Sequence, residues 1–372
     1  MRAIAVFPDE RAVRLVDHPE PSLERDADAK VRILDVGICG TDREIARFDY
    51  GTPPPGSPYL VLGHESLGQV VEVGRGASRV KRGDLVVLMV RRPCGHESCR
   101  ACRAGRQDFC FTGDFTERGI KGRHGFMTEQ VVDDERFLHV LPAHLRPVGV
   151  LVEPLTIAEK ALIQVWDVQH RLPWTAPGAP AGDGHGQKAV VLGAGPVGLL
   201  GALALRVRGF ETWVYSRDRR DSVKGRWVES VGARYLSSED APVTALAEAV
   251  GNIDLLYEAT GAAGISFQAM EALGVNGVFI FTGVPGRKAP IEIDADLIMR
   301  NLVLKNQLVF GTVNAGADAF AAAAADLATF HARWPEQLRA LITGRYRPEG
   351  FEELLLGPSA GIKRVLSFSE AR

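Results

Sequence analysis

Residues 188–198, KAVVLGAGPVG, decide the fold of the second half of this chain. The apolar start of this stretch predicts a buried strand, and residues 197–208 predict a helix. Gly193, Gly195 and Gly198 stand between them in the spacing G-x-G-x-x-G. Gly193 permits a tight turn, Gly195 lets another molecule approach the backbone, and Gly198 lets the helix pack closely on the strand. A strand, a glycine-rich turn and a helix in this order predict a βαβ unit.

The same turn predicts a dinucleotide site. A helix that begins near Pro196 and Val197 presents free N–H groups and the positive end of its dipole to a phosphate. Apolar runs and helical stretches keep alternating after it, as in the doubly wound parallel sheet of a Rossmann domain. Two of these runs, IDLLYEAT and GVFIFTG, end in Thr260 and Gly283, and we assign these two residues and Gly261 to coenzyme binding. The alternative is a glycine-rich turn that binds no ligand.

The end of the next apolar run, ETWVYS, decides which coenzyme is bound. An acidic residue there would bind the ribose hydroxyls of NAD. This chain has Ser216 and Arg217 instead, with Arg219 and Arg220 close by. Because a guanidinium donates paired hydrogen bonds to phosphate oxygens, we predict NADP, with some use of NAD through the adjacent Asp218. The alternative is a solvated run of charges.

Length and composition set limits on the whole chain. Its 372 residues are too many for one ordinary core, which predicts two domains. A net charge of -2 gives no indication of a nucleic acid or an anionic membrane as partner. The N-terminus lacks the apolar core of a signal peptide, and no apolar stretch reaches about 20 uninterrupted residues. We therefore expect a cytoplasmic protein without a membrane span.

The first part of the chain has a β-rich pattern. Short apolar runs, separated by Gly, Pro and Asp, occur at 3–7, 30–36, 67–73 and 85–90. They predict a small β-barrel. Residues 173–186, PWTAPGAPAGDGHG, predict a linker or exposed loop, and the alanine-rich residues 315–330 predict a packed helix. The expected fold class is therefore α/β, with a barrel domain at 1–186 and a dinucleotide-binding domain at 187–312.

Four of the five cysteines lie within 17 residues, and we call this segment the lobe: Cys94, Cys99, Cys102 and Cys110. In a reducing compartment such a cluster favours a metal over disulfides. Four thiolates complete a tetrahedral shell around Zn²⁺ and leave no open position, so we predict a structural zinc. His96 lies inside the cluster as an alternative ligand, and unliganded core cysteines are the alternative to a metal.

A second set of metal-binding residue types is scattered along the chain. Cys39 stands in GICGTD, His64 and Glu65 stand in GHESLG, and Glu153 stands in VEPL. One thiolate, one imidazole and one or two carboxylates suit a catalytic zinc that keeps a position open for substrate. Taken singly, each of these residue types also occurs as core filling.

Together these motifs resemble the zinc-containing medium-chain alcohol dehydrogenases. GHESLGQVVEVG, the lobe and GAGPVG carry the resemblance, which covers nearly the whole chain. GICGTDREI, RRPCG…CRACRAGRQDFC, GFM, PL…EK and VWDVQHRLPW are similar to the glucose dehydrogenase branch known from archaea. That branch oxidises aldoses at the anomeric carbon with NADP or both coenzymes, often as a tetramer. The resemblance implies a GroES-like barrel domain, completed by residues 313–372, a Rossmann domain, and a homo-oligomer.

The resemblance also implies roles for the scattered residues. Cys39 and His64 would bind the catalytic zinc, while Glu65 and Glu153 would complete its shell or exchange within it. Asp42 would orient the imidazole of His64 through a hydrogen bond. The metal would favour loss of the proton from a substrate hydroxyl, and hydride would then pass to the nicotinamide.

Substrate contacts follow from the same comparison. Thr41 would take the hydroxyl proton, and Glu153 would also contact the substrate. Glu117 and Asn314 match positions that contact a sugar. Three other positions are apolar where the branch often has polar groups: Val90, Ile157 and Leu304. An unpaired buried hydroxyl costs about 1–3 kcal/mol, so a differently configured aldose, a deoxy sugar and a less polar secondary alcohol stay open beside glucose.

The sequence therefore predicts a zinc-dependent NAD(P) oxidoreductase that oxidises an aldose to its lactone. The main alternative is a zinc-dependent dehydrogenase of a polyol or another secondary alcohol. A zinc-free quinone or enone reductase would lack both cysteine sites, and a non-enzymatic zinc protein would lack ligands or the proton relay. This chain retains Cys39, Thr41, His64 and Glu153 as well as the lobe.

Overall fold

The computed structural model of the chain describes residues 1–172, 183–286, 290–358 and 360–368. Over those ranges, no helix is long and apolar enough to cross a lipid bilayer. Residues 173–182, most of the predicted linker, lie outside the described part. The chain divides into two compact units: Met1–Thr156 with Asn314–His331 and Leu338–Arg372, and Ile157–Val313 with Ala332–Gln337.

The regular elements of the described residues are numbered in chain order. The strands are β1 Arg2–Phe7, β2 Ala12–Asp17, β3 Asp28–Gly37, β4 Leu60–Val61, β5 Glu65–Val73, β6 Leu85–Leu88, β7 Arg91–Arg92, β8 Thr116–Arg118, β9 Gly122–Arg123, β10 Gln130–Asp134, β11 Leu138–Leu141, β12 Lys188–Leu192, β13 Glu211–Ser216, β14 Arg234–Ser237, β15 Leu255–Glu258, β16 Val278–Phe281, β17 Leu308–Gly311, β18 Ile342–Tyr346 and β19 Lys363–Ser367. The α-helices are α1 Gly40–Ala46, α2 Arg100–Arg103, α3 Val152–Gln169, α4 Pro196–Val207, α5 Val223–Ser230, α6 Leu246–Val250, α7 Ala263–Met270, α8 Ala295–Leu304, α9 Ala317–Arg333, α10 Pro335–Ala340 and α11 Phe351–Leu355.

The first unit is built on a mainly antiparallel sheet. Its strands follow the order β11-β6-β5-β3-β19-β18, and β10 also pairs with β3. Apolar side chains of these strands, among them Val31, Ile33 and Val70, form a core with Leu62 and Phe126. The C-terminal strand β19 lies antiparallel to β3, so the end of the chain belongs to this unit.

The second unit contains a six-stranded parallel sheet in the order β14-β13-β12-β15-β16-β17. Counted from β12, this is the order 3-2-1-4-5-6 of a Rossmann domain. The apolar run at 188–192 forms β12, where buried Val190 packs in a core with Leu256 and Phe279. The predicted α/β fold class is confirmed, because one mainly antiparallel β unit accompanies one doubly wound parallel sheet.

The two units differ from the predicted domain boundaries around α3. Lys160 in α3 donates a hydrogen bond to the carbonyl oxygen of Val313 at 2.9 Å, and the Gln164 amide donates to the Thr312 hydroxyl at 2.8 Å. Most of α3 therefore packs within the second unit, although it lies before residue 187. Periodicity along a helix reveals an apolar face but not the unit that covers it.

Candidate metal centres and coenzyme site

The first candidate centre lies where β3 and β5 meet. Cys39 follows β3 and precedes α1, while His64 immediately precedes β5 and Glu65 begins it. One ligand atom from each of these three residues lies within 4.8 Å of the others. Glu65 pairs with Gly37 across the two strands. A Cβ atom on Gly37 would lie 2.0 Å from Glu65 Oε2, so the carboxylate fits only because residue 37 has no side chain.

Asp42 holds one side of the His64 imidazole. Its Oδ1 lies 3.3 Å from His64 Nδ1, and its Oδ2 accepts a 2.9 Å hydrogen bond from the Cys39 N–H. With Nδ1 facing this carboxylate, Nε2 is the ring nitrogen that remains for a metal. Burial lowers the pKa of His64, but the charges of Asp42 and Cys39 outweigh it and hold that pKa well above its ordinary value.

Lys363, which the sequence analysis did not select, holds the Glu65 carboxylate. Its Nζ donates to Oε1 at 2.7 Å and to Oε2 at 2.6 Å, and both side chains are buried. It also donates to the carbonyl oxygen of Ile38 at 3.2 Å. Burial lowers the pKa of Lys363, but the Glu65 and Cys39 charges raise it above its ordinary value. The sequence GIKRVLS carries no sign of this role, since its lysine looks like an ordinary strand-edge charge.

Glu153 lies in the first turn of α3 and is buried, but it does not join the tight cluster. Among the described residues that cluster contains only Cys39, His64 and Glu65. Burial, and to a lesser extent the charge of Glu65, raise the pKa of Glu153 to about 7, although His64 lowers it. The structure thus brings three of the four predicted residues together. Glu153 lies outside this cluster, but the charges of His64 and Glu65 still shift its pKa.

Thr41 and a tyrosine that the sequence analysis missed lie beside this centre. Thr41 is the second residue of α1 and is half-buried, and its side chain lies beside the Tyr50 phenol. Burial raises the pKa of Tyr50 to about 12, so the phenol keeps its proton at neutral pH. Tyr50 is 44% exposed. A partly exposed phenol therefore lies next to Thr41.

The four lobe cysteines form the second candidate centre. Their sulfur atoms all lie within 4.8 Å of one another, and Cys99 Sγ is 3.9 Å from Cys110 Sγ. A tetrahedral site with Zn–S bonds of about 2.3 Å needs sulfur atoms about 3.8 Å apart, so the arrangement fits zinc. His96 is exposed and lies 2.7 Å from Asp114, outside the sulfur cluster.

Local hydrogen bonds favour a thiolate in the lobe. Burial raises the pKa of the Cys110 thiol, but hydrogen bonds from the Thr112 side chain and the Gly113 N–H outweigh it and lower that pKa to about 6. Burial raises the pKa of Cys102 to about 12. These hydrogen bonds at Cys110 favour the thiolate, which is the form that binds a metal.

The glycine-rich turn has the geometry of a phosphate site. Gly193 has φ +102°, and a Cβ atom on it would lie 2.9 Å from Thr260 Cγ2. A Cβ atom on Gly198 would lie 2.0 Å from the carbonyl oxygen of Gly193, whereas nothing lies within 4 Å of that position on Gly195. Helix α4 begins with Pro196 and Val197 without a side-chain cap, so its first N–H groups remain for an anion.

The end of β13 contains several charged groups, and most of them are paired. Lys224 Nζ lies 3.1 Å from Asp218, while Arg219 and Arg220 form ion pairs with Asp221 and Glu229: 3.1 Å and 2.8 Å. Arg217 is exposed, and in the described part of the chain it has no ion pair. The Ser216 hydroxyl lies 3.4 Å from Asp218. Arg217 is thus the guanidinium most available to an incoming phosphate.

The two predicted sugar contacts lie against each other. The Asn314 amide donates to Glu117 Oε1 at 3.0 Å, and Arg91, opposite Glu117 in the β7–β8 pair, donates to the same oxygen at 3.0 Å. Arg91 was not selected from the sequence. The three apolar positions fall in different surroundings: Val90 is buried, Ile157 is half-buried, and Leu304 is 68% exposed at the end of α8.

Comparison with known proteins agrees with both halves of the chain. The profile of the alcohol dehydrogenase GroES-like domain matches residues 25–143, and that of the glucose dehydrogenase C-terminus matches residues 146–368. A glucose 1-dehydrogenase of Methanocella arvoryzae is 37% identical over 366 residues, which cover 98% of each chain. One of Metallosphaera sedula is 37% identical over 374 residues, 99% of each chain. The Haloferax mediterranei glucose dehydrogenase, solved in complex with NADP, Zn and gluconolactone, is 33% identical over 100% of both chains with a TM-score of 0.88.

Proposed function

The chain belongs to the glucose dehydrogenase branch of the zinc-containing alcohol dehydrogenases, and on that premise we propose that it oxidises the anomeric hydroxyl of glucose or a related aldose to the lactone. NADP would accept the hydride. One observation carries the proposal: Cys39, His64 and Glu65 converge within 4.8 Å in a chain that aligns with glucose 1-dehydrogenases over its whole length.

The donor sets suit two zinc ions per chain. Cys39 and His64, with Glu65 or Glu153, would hold the catalytic ion, and the four lobe thiolates would hold the structural one: Cys94, Cys99, Cys102 and Cys110. When bound, zinc supplies a Lewis acid for a hydroxyl oxygen and NADP supplies a hydride acceptor. The short lobe site offers no open position, so the reaction belongs to the first centre.

The chain's own residues handle the proton and the orientation of the ligands. Asp42 keeps the His64 ring in one orientation, and Lys363 balances the charge of Glu65. Thr41 would accept the proton of the substrate hydroxyl while it gives up its own hydroxyl proton, and the neighbouring, partly exposed Tyr50 would pass a proton on toward solvent in the same way. General-base transfer of this kind contributes about 10²–10⁴-fold to a rate.

The preference for NADP rests on Ser216 and Arg217. Arg217 has no ion pair within the described ranges, and Asp218, which would favour NAD, is already paired with Lys224 at 3.1 Å. We expect Arg217→Ala to raise the Kd for NADP about 10- to 100-fold, the loss typical of a charge-assisted contact, and to leave NAD binding nearly unchanged. Arg219→Ala is the matched control, because that guanidinium already pairs with Asp221.

The substrate test is a coenzyme-reduction screen over aldoses, polyols and simple alcohols, each with NADP and with NAD. Turnover of an aldose with NADP supports the proposal. The polar pair Glu117 and Asn314 favours a substrate with several hydroxyls, whereas the apolar Val90 and Ile157 favour a less polar one. Turnover only of polyols or secondary alcohols would therefore replace the aldose with the alternative substrate class.

The proposed assembly rests on exposed features of the second unit. β17 ends the six-stranded sheet, and within the described residues no strand pairs with its outer edge. Helix α8 exposes Met299, Val303 and Leu304, all more than half accessible. An unpaired strand edge and an exposed apolar helix face both favour self-association, and we propose a homo-oligomer of two or four chains. Light scattering on the purified protein tests this, and the cytoplasmic location stays a prediction.

A further inference from the structure

Glu258 is a buried carboxylate in the second unit that the proposed reaction does not use. It ends β15, the strand next to β12, and it lies opposite Leu192, the residue before the glycine-rich turn. Its side chain is 1% exposed. Among the described residues no lysine or arginine forms an ion pair with it. A buried carboxylate without a counter-charge is costly unless several hydrogen bonds satisfy it.

Two loops supply those hydrogen bonds. Oε1 accepts three: from the Thr260 N–H at 2.6 Å, from the Thr260 hydroxyl at 2.6 Å and from the Gly261 N–H at 2.8 Å. Oε2 accepts one from the Gly283 N–H at 3.1 Å. The carboxylate therefore joins the loop after β15 to the loop after β16.

The two loops that Glu258 joins also pack closely against each other. A Cβ atom on Gly283 would lie 2.2 Å from the Gly261 nitrogen and 2.8 Å from Glu258 Oε2. Thr260 is exposed on the surface, yet its hydroxyl is bound to Glu258 and its methyl group faces Gly193. The hydrogen bonds to Glu258 thus hold in place the surface that continues from the glycine-rich turn across the carboxyl ends of β15 and β16.

A dinucleotide on a doubly wound sheet lies across the carboxyl ends of the strands, with its second nucleotide on the second half of the sheet. Here that half consists of β15, β16 and β17. We propose that Glu258 is a positioning residue for the nicotinamide half of the coenzyme. It acts through Thr260, Gly261 and Gly283, which it holds at the surface where that half binds. This inference rests on the proposed function, because it requires a bound nicotinamide dinucleotide.

The test compares two ligands on purified full-length protein by isothermal titration calorimetry. NADP needs both halves of the site, whereas adenosine 2′,5′-bisphosphate needs only the half formed by the glycine-rich turn, Ser216 and Arg217. Glu258→Gln keeps the shape of the side chain but removes its charge and turns a donor toward one of the loops. We expect the Kd for NADP to rise about 10- to 100-fold and the Kd for the bisphosphate to stay within about twofold.

A pair of threonine variants covers the case in which Glu258→Gln does not fold. Thr260→Val removes one hydrogen bond to the carboxylate, and Thr260→Ser keeps it, so only the first should weaken NADP. Thr282→Val is the matched control, because the Thr282 hydroxyl donates to the backbone oxygen of Glu258 at 2.6 Å and not to its carboxylate. Thr282→Val should leave the ratio of the two Kd values unchanged.

The outcomes separate this inference from the function on which it rests. If the wild-type protein binds neither ligand, the proposed function fails. If the wild-type protein binds both ligands, and Glu258→Gln changes both Kd values equally or changes neither, Glu258 does not position the nicotinamide half. Equal effects of Thr260→Val and Thr260→Ser would overturn the proposal in the same way.

Discussion

The two cysteine sites of the first unit are built in opposite ways. All four lobe ligands come from 17 consecutive residues around α2, whereas the Cys39 site takes residues from the end of β3, from the start of β5 and from β19. The lobe needs little of the barrel to bring its sulfur atoms together. The Cys39 site exists only if three strands pair in the correct register. A site whose ligands are neighbours in the chain can therefore be predicted from their spacing, whereas a site whose residues come from distant strands forms only when the whole fold does.

The largest expected effect is a loss of activity on damage to the Cys39 site, which the lobe site should not share. Cys39→Ser should lower kcat/KM about 10⁴-fold, or roughly 5 kcal/mol, because the hydroxyl loses its Lewis acid. Zinc content should fall from two ions to one per chain, and the lobe ion should remain. Assay and metal analysis of the same sample check both statements. Near-normal turnover in this variant would overturn the assignment of the catalytic centre.

The next effect tests how far the Cys39 site depends on the C-terminal strand. Lys363→Met leaves the buried Glu65 charge without its partner, which should lower the free energy of unfolding of the metal-free protein by about 3–5 kcal/mol. Zinc replaces the missing positive charge, so added zinc should recover more stability in this variant than in the wild type. Chemical denaturation with and without zinc measures this difference. Equal recovery in the two proteins would mean that Lys363 does not serve the metal centre.

A smaller effect should follow from damage to the lobe. Cys99→Ser opens the tetrahedral shell, and we expect Tm to fall by about 5–10 °C, since roughly 2–3 kcal/mol is lost from a domain of this size. Activity below the transition should fall far less than in Cys39→Ser. Calorimetry and assay at 25 °C compare the two variants. A loss of activity as large as that of Cys39→Ser, without a loss of stability, would remove the distinction between the sites.

The smallest effect comes from the matched control in the lobe. His96 is exposed and its partner is Asp114, so His96→Ala should change the free energy of unfolding by no more than about 0.5 kcal/mol and leave the zinc content at two ions. Loss of one zinc in this variant would show that the imidazole, and not four thiolates, completes the shell.

The sequence predicted the parts of the site that follow from local pattern. The turn at Gly193, Gly195 and Gly198 has the predicted backbone, and the predicted α/β class is confirmed by the strand order of the second unit. The convergence of Cys39 with His64 could be proposed only through the family resemblance, because 24 residues separate them in the chain. Lys363, Arg91 and Glu258 escaped prediction because a charged residue in a strand gives no sign that it faces inward.

By itself, the sequence determined the local features of this protein: alternating strands and helices, the glycine-rich turn and the spacing of the four lobe cysteines. These depend on steric and hydrogen-bonding rules that act over a few residues. Only the tertiary structure decided that Lys363 holds Glu65, that Asn314 reaches Glu117 and that Glu258 joins two loops. Such contacts depend on which strands become neighbours, and strand order is set by the packing of the whole chain rather than by any single segment.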